Sequence, residues 1–133
     1  MIALRYGCLA WAALPDPNGV NPKTRPVIVL SPDEEMVRTG IARVVAISSQ
    51  VAIGDANRVV ELPWTNQPGG NRKTRLRRKS FAVCDWVMVV PIAQMTATAG
   101  FVPALQLVEI QQKVIALQSI ASHSPPGNPT PKT

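Results

Sequence analysis

Two stretches of this chain carry side chains suited to binding an anion. The first is Lys23-Thr24-Arg25-Pro26-Val27-Ile28-Val29-Leu30. Four consecutive apolar residues, three of them β-branched, read as the start of a buried strand. Pro26 has no N–H for a ladder, so it belongs at the first residue of a strand or at an edge. It also biases Arg25 towards extended backbone. The guanidinium then sits at the mouth of a rigid strand, a planar fork of five donors that suits phosphate or carboxylate. A solvated arginine at a strand entrance fits the octapeptide equally well. The second stretch runs from Arg72 through Lys73, Thr74, Arg75, Leu76, Arg77 and Arg78 to Lys79, and six of its eight residues are basic. A lone charge run is usually a solvated connection, but this density favours phosphate contact. Like charges repel, so the loop is expected to be mobile until an anion arrives.

Other chemistry is poorly supplied. His123, the only histidine, falls in the Pro-rich segment Ser122-His123-Ser124-Pro125-Pro126-Gly127-Asn128-Pro129. That composition buries too little to order itself, so catalysis here must do without histidine. Cys8 and Cys84 lie in apolar runs with no CxxC spacing or histidine cluster. They read as small core residues of a reduced cytosolic protein; no metal and no cofactor is expected.

The elements that must position Arg25 and the basic loop are short. The chain has 133 residues, one domain's worth, 46% of them apolar, with a mean hydropathy of +0.08. Fourteen basic residues against eight acidic ones give +6 and a pI near 10.0, which favours nucleic acid or an acidic protein as partner. Strands are predicted at Cys8 to Leu14, Val27 to Leu30, Ile41 to Ser48, Asn57 to Leu62 and Phe81 to Val90. A Pro15-Asp16-Pro17-Asn18-Gly19 turn closes the first. The apolar N-terminal stretch imitates a signal peptide, but a strand plus turn explains it better. The run Trp86 to Ala93 is too short to span a bilayer, so no membrane role is expected. Ser31 opens a loop in which it caps one helical turn. Leu107, Ile110, Val114, Leu117 and Ile120 recur at helical spacing after Pro103. The fold class predicted is mainly β, a small curled antiparallel sheet with one C-terminal helix. Residues 1–120 form the domain and 121–133 a disordered tail.

These pieces together resemble a known family. Gly7 opening the first strand, Arg25-Pro26-Val27-Ile28-Val29-Leu30, Val45-Ala46-Ile47-Ser48-Ser49-Gln50, Ser80-Phe81-Ala82-Val83-Cys84-Asp85 and the closing Gly-x-x-Pro helix occur in the order and spacing of the MazF/PemK toxins of bacterial type II toxin–antitoxin modules. The resemblance runs from Tyr6 to Ile120. It implies an SH3-like barrel and a ribonuclease that acts on mRNA in the cytoplasm. It also implies Arg25 at the scissile phosphate, Ser48 with its neighbour Ser49 at the end of the following strand, and Asp85 as an acidic partner. Two features depart from the pattern. The loop before the arginine reads Gly19-Val20-Asn21-Pro22-Lys23-Thr24, without the glutamate or histidine of many members. Val83 stands where a subset has a second arginine.

RNA cleavage without metal needs a group to help deprotonate the 2′-OH, one to stabilise phosphorane charge and one to protonate the 5′-oxygen. Arg25 suits the second task, and the third as well. Asp85 is the base, or orients Arg25, or is a strand carboxylate paired with an arginine for register. Ser48 positions a phosphate oxygen or bonds backbone at a strand end. Lys23, Thr24, Ser49, Arg72, Lys73, Arg75, Arg77, Arg78 and Lys79 are the expected RNA contacts. The favoured function is a sequence-selective, metal-independent endoribonuclease for single-stranded mRNA, the toxin of a toxin–antitoxin module. The alternatives are a non-catalytic nucleic-acid-binding barrel, which the missing loop glutamate supports, and a CcdB-like gyrase-inhibiting toxin, against which the basic loop argues. The expected partners are single-stranded RNA, an acidic antitoxin and a second copy of the chain, with Trp64 and Trp86 as interface or core aromatics.

Overall fold

Cys8, Ala10, Ala12 and Leu14 fall on one side of strand β1 (Cys8–Leu14) and Leu9 on the other, and this alternation sorts the core into two clusters. The structure, a computed structural model, describes residues 3–14, 23–49 and 56–122. The turn after Leu14, most of the loop before Arg25, and the tail with His123 lie outside the described residues. After β1 come β2 (Lys23–Val29), α1 (Asp33–Thr39), β3 (Ile41–Ser48), β4 (Val59–Leu62) and β5 (Ser80–Pro91). A 3₁₀ turn (Ile92–Gln94), β6 (Met95–Phe101) and α2 (Ala104–Ser122) follow. The six strands pair antiparallel in the order β4-β5-β3-β2-β1-β6 and curl into a small SH3-like half-barrel. The mainly β class with one long C-terminal helix is therefore as expected.

The first cluster joins Leu9, Ile28, Val45, Ile47, Val60 and Leu62 to the helical stripe Leu107, Ile110 and Val114. Ile110 and Val114 are fully buried, each stabilising by about 1.5–3 kcal/mol. The second gathers Ala10, Ala12, Leu14, Val27, Val29, Val44 and Ala46 with Met36 of α1. Cys8 and Cys84 are free, buried thiols, one in each cluster. Burial pushes the Cys84 thiol up to about 11 and raises that of Cys8. Among the described residues no helix is long and apolar enough to cross a membrane.

Several elements differ from the sequence expectation. Strand β2 starts at Lys23, so Pro26 lies inside it, opposite Trp11. Its missing donor is tolerated because β3 pairs with β2 only from Val27 onwards. Helix α1 is seven residues long and capped by no side chain; Pro32 is its N-cap, and the Ser31 hydroxyl instead accepts the Arg43 N–H at 2.8 Å. Asp33, Glu34 and Glu35 in its first turn complement the helix dipole in place of a cap. Strand β4 starts at Val59, two residues later than expected. Strand β6 is absent from the sequence expectation, because the alternating positions of Met-Thr-Ala-Thr-Ala-Gly-Phe are mostly alanine, and alanine and glycine are depleted in strands; it forms against the free edge of β1.

The basic loop is pinned, contrary to the mobility expected of it. Thr74 is 1% exposed, and its hydroxyl donates to the Pro63 carbonyl at 2.7 Å and accepts the Leu76 N–H at 3.1 Å. The Asn71 side-chain oxygen accepts the N–H groups of Lys73 and Thr74. The Phe101 N–H donates to the Lys73 carbonyl at 2.8 Å. Repulsion between the cationic heads does not loosen the loop because those heads stand in solvent while the backbone is held. A Cβ on Gly70 would lie 2.3 Å from the Arg75 carbonyl oxygen, and one on Gly100 would lie 2.2 Å from that of Thr74. Arg75 itself is held at φ 67, a conformation non-glycine residues seldom adopt. Gly100→Ala should therefore cost about 3 kcal/mol in urea unfolding. Gly40→Ala, at φ 73 with open space around it, should cost about 1 kcal/mol. Equal stabilities for the two variants would show that the Thr74 backbone is not packed against Gly100.

Candidate active site

Val27 faces Ala46, Ile28 faces Val45 and Val29 faces Val44 across β2 and β3. The β2–β3 pairing ends at Val27 and Ala46, and Arg25 and Ser48 lie two residues beyond it on their strands. The two residues that the family resemblance joined only through motifs line one groove. Arg25 is half-buried, and its guanidinium carbon lies 5.1 Å from the centre of the Trp86 ring. Its Nε is buried and has no hydrogen-bond partner among the described residues. An unmade bond of that kind costs about 1–3 kcal/mol, a strain that a purely structural arginine has no reason to carry.

Arg25 and Ser48 line a groove of about 720 Å³. Its wall includes Leu9, Trp11, Thr74, Leu76, Ser80 and Thr98. Of the expected RNA contacts, Lys23, Thr24, Ser49, Arg75, Arg77 and Arg78 also line it. Five cations thus converge on one groove, and no aspartate, glutamate or histidine appears in its described lining.

The rest of the basic loop points elsewhere. Arg72 and Lys73 line a separate depression between the loop and the start of α2, with Asn71 and Gln106. Lys79 lies against the Phe81 ring, 5.8 Å from its centre. The buried Thr74 divides the loop, so one charge run in sequence serves two surfaces.

Asp85 does not line the groove. Its carboxylate accepts the Arg58 Nε–H at 2.8 Å, the arrangement expected of a strand carboxylate paired with an arginine. Both side chains are about two-fifths exposed. They sit where β5 leaves register. Val45 faces Val87 and the next residue, Ala46, faces Val83, so Cys84, Asp85 and Trp86 have no partner on β3. The Cys84 N–H donates instead to the Arg58 carbonyl at 2.7 Å. Trp86 and Arg58 are the residues that sequence reasoning missed at this site. Trp86 read as core or interface, and nothing in the sequence marks a three-residue bulge.

Such an arrangement can bind a phosphodiester and stabilise charge that grows on it. Cations on a fixed frame, with hydroxyls between them, provide electrostatic preorganisation. Among the described residues no three of His, Cys, Asp and Glu come together as metal ligands would.

The fold has counterparts among solved proteins. The chain has no significant match among curated proteins. Its fold is similar to that of a MazF from Deinococcus radiodurans, with a TM-score of 0.67 at 21% identity over 90% of this chain and 99% of that one. A MazE-MazF complex from the same organism gives 0.66 at 20% identity, over 89% and 98%. An endoribonuclease solved with its cognate antitoxin from a mycobacterial species gives 0.66 at 11% identity, over 89% and 97%. A family model described as a PemK-like, MazF-like toxin of a type II toxin–antitoxin system matches residues 5–117. That match takes in every strand and most of α2, and the chain belongs to the PemK-like, MazF-like toxin family.

Proposed function

We propose that this toxin is an endoribonuclease that cleaves single-stranded mRNA in the cytoplasm, in a sequence-selective and metal-independent way. The observation that carries the reading is the groove that Arg25 and Ser48 share, in which every charged side chain among the described lining residues is a cation. In the proposed reaction the 2′-oxygen attacks phosphorus and the bond to the 5′-oxygen breaks, leaving a 2′,3′-cyclic phosphate and a 5′-hydroxyl. Arg25 stabilises the charge on the phosphorane and donates a hydrogen bond to the departing 5′-oxygen. Ser48 orients a non-bridging oxygen, the 2′-OH proton leaves to water, and the departing 5′-oxygen takes its proton from water. Asp85, engaged by Arg58, acts on the frame of the site and not on the proton. Lys23, Thr24, Ser49, Arg77 and Arg78 hold the flanking phosphates. Arg72, Lys73 and Lys79 extend this field beyond the groove.

The lack of a carboxylate or imidazole in the described lining favours a second reading, an RNA-binding barrel without turnover. The two separate in one assay. Incubated with single-stranded RNA in EDTA, the protein should release products ending in 2′,3′-cyclic phosphate. DNA of the same sequence should bind and survive because it lacks the attacking hydroxyl. Intact RNA under these conditions establishes the binding-only reading, and activity that requires Mg²⁺ removes Arg25 from its role at the phosphorane.

Within that reaction the rigid and exposed cations should separate kinetically. Arg25→Ala should lower the cleavage rate by on the order of a hundredfold while affinity falls only modestly. Replacing Arg77 and Arg78 by alanine should weaken binding and flatten its salt dependence by about one unit per lost contact, with the bound rate little changed. Identical kinetic signatures for the two variants would refute this division.

The +6 charge and the open cationic groove also suit an acidic, partly disordered antitoxin that folds on binding and lies across the groove. Two toxin copies related by a two-fold axis would frame a longer RNA path, and Trp64, 40% exposed, is available for such an interface. Saturating antitoxin should abolish RNA binding, and light scattering at micromolar protein should give twice the chain mass. RNA binding that persists beside bound antitoxin would contradict the overlap of sites.

A further inference from the structure

A regular strand places residues two apart on the same face. Cys84 and Trp86 break that rule: Cys84 packs in the first core cluster, beneath α2, and Trp86 packs against the second. The cause is the bulge. Ala82 and Cys84 before it belong to the first cluster, whereas Trp86, Met88 and Val90 after it belong to the second. Three extra residues therefore turn the second half of β5 over, and the side chain delivered to the face of Arg25 is an indole. Bulges next to active sites commonly re-aim a side chain in this way.

We propose that Trp86 is a positioning residue for Arg25, holding the guanidinium in place without offsetting its charge; this rests on the reading of the groove as an RNA-cleaving site. Among the described residues no ion pair to Arg25 is seen, and the Asp85 carboxylate is engaged by Arg58. A carboxylate partner would occupy the in-plane N–H donors of the fork and counter its charge. An aromatic face attracts the cation through its quadrupole and contacts the flat side of the guanidinium, so the in-plane donors stay available. The 5.1 Å separation lies within the range of that attraction. Arg58 then has a place in the site at one remove. Its carbonyl accepts the Cys84 N–H and its side chain binds Asp85, which fixes the bulge on the two residues that lead into Trp86.

The test is a double-mutant cycle on the full chain, with single-turnover cleavage of a short single-stranded RNA and its equilibrium affinity measured separately. Trp86→Leu keeps an apolar side chain and removes the ring. It should slow cleavage about tenfold while changing affinity less than about threefold. Trp86→Phe, which keeps an aromatic face, should recover most of the rate and covers the case in which Trp86→Leu does not fold. In the Arg25→Ala background neither substitution at position 86 should slow cleavage further, because the group being positioned is gone. A packing role would instead give additive losses at the two sites. Additivity, or a Trp86→Leu protein as fast as wild type, overturns the proposal. Wild-type protein that cleaves no RNA defeats the functional reading, and the cycle is then run on affinity for the same RNA. Coupling between positions 25 and 86 there sustains the positioning role, and its absence overturns that role too.

Discussion

The break in register between β3 and β5 is the constraint on which the site depends. These two strands form the longest pairing in the sheet, from Ile41 opposite Pro91 to Ser48 opposite Phe81. Without the interruption at Val45 and Ala46, one face of β5 would run unbroken and the even-numbered residues from Ala82 to Val90 would share it. With it, the first half of β5 lines the cluster beneath α2 while the second half lines the cluster of β1 and β2. The Arg58–Asp85 pair and the Cys84 N–H hold this switch in place. An exposed ion pair of that kind adds little stability on average, so its value lies in geometry.

A second constraint is the packing of the basic loop onto glycine. The carbonyls of Thr74 and Arg75 approach Gly100 and Gly70 more closely than any side chain would allow. That contact, with the buried Thr74 hydroxyl, forces Arg75 into a left-handed conformation and carries the chain on towards Arg77 and Arg78 at the groove. Loop residues usually gain their conformational freedom from solvent. In this loop only the ends of the side chains keep it. The distinction between backbone that is held and heads that are free explains how a dense run of like charge coexists with defined structure.

Electrostatically, the groove gathers positive charge with no acidic side chain among its described lining residues. Most acidic side chains among the described residues serve α1, Arg58 or Lys113, away from the groove. Such a surface favours a polyanionic partner.

Much of this was legible in the residues themselves. Local preferences sufficed for β1, β3 and the Leu107–Ile110–Val114 stripe, because burial imposes a period that the sequence displays. Pro26 and its neighbours marked Arg25 as special, and the order of short motifs pointed to the family. The bulge, the turned face of β5, the pairing of Arg25 with Trp86 and the pinning of the basic loop were not legible. Strand β6 was hidden for a related reason: its residues form a strand because β1 offers unpaired donors and acceptors, not because they prefer one. Each of these depends on contacts between residues far apart in the chain, and a linear pattern carries no record of which strand will face which, or where their registers part.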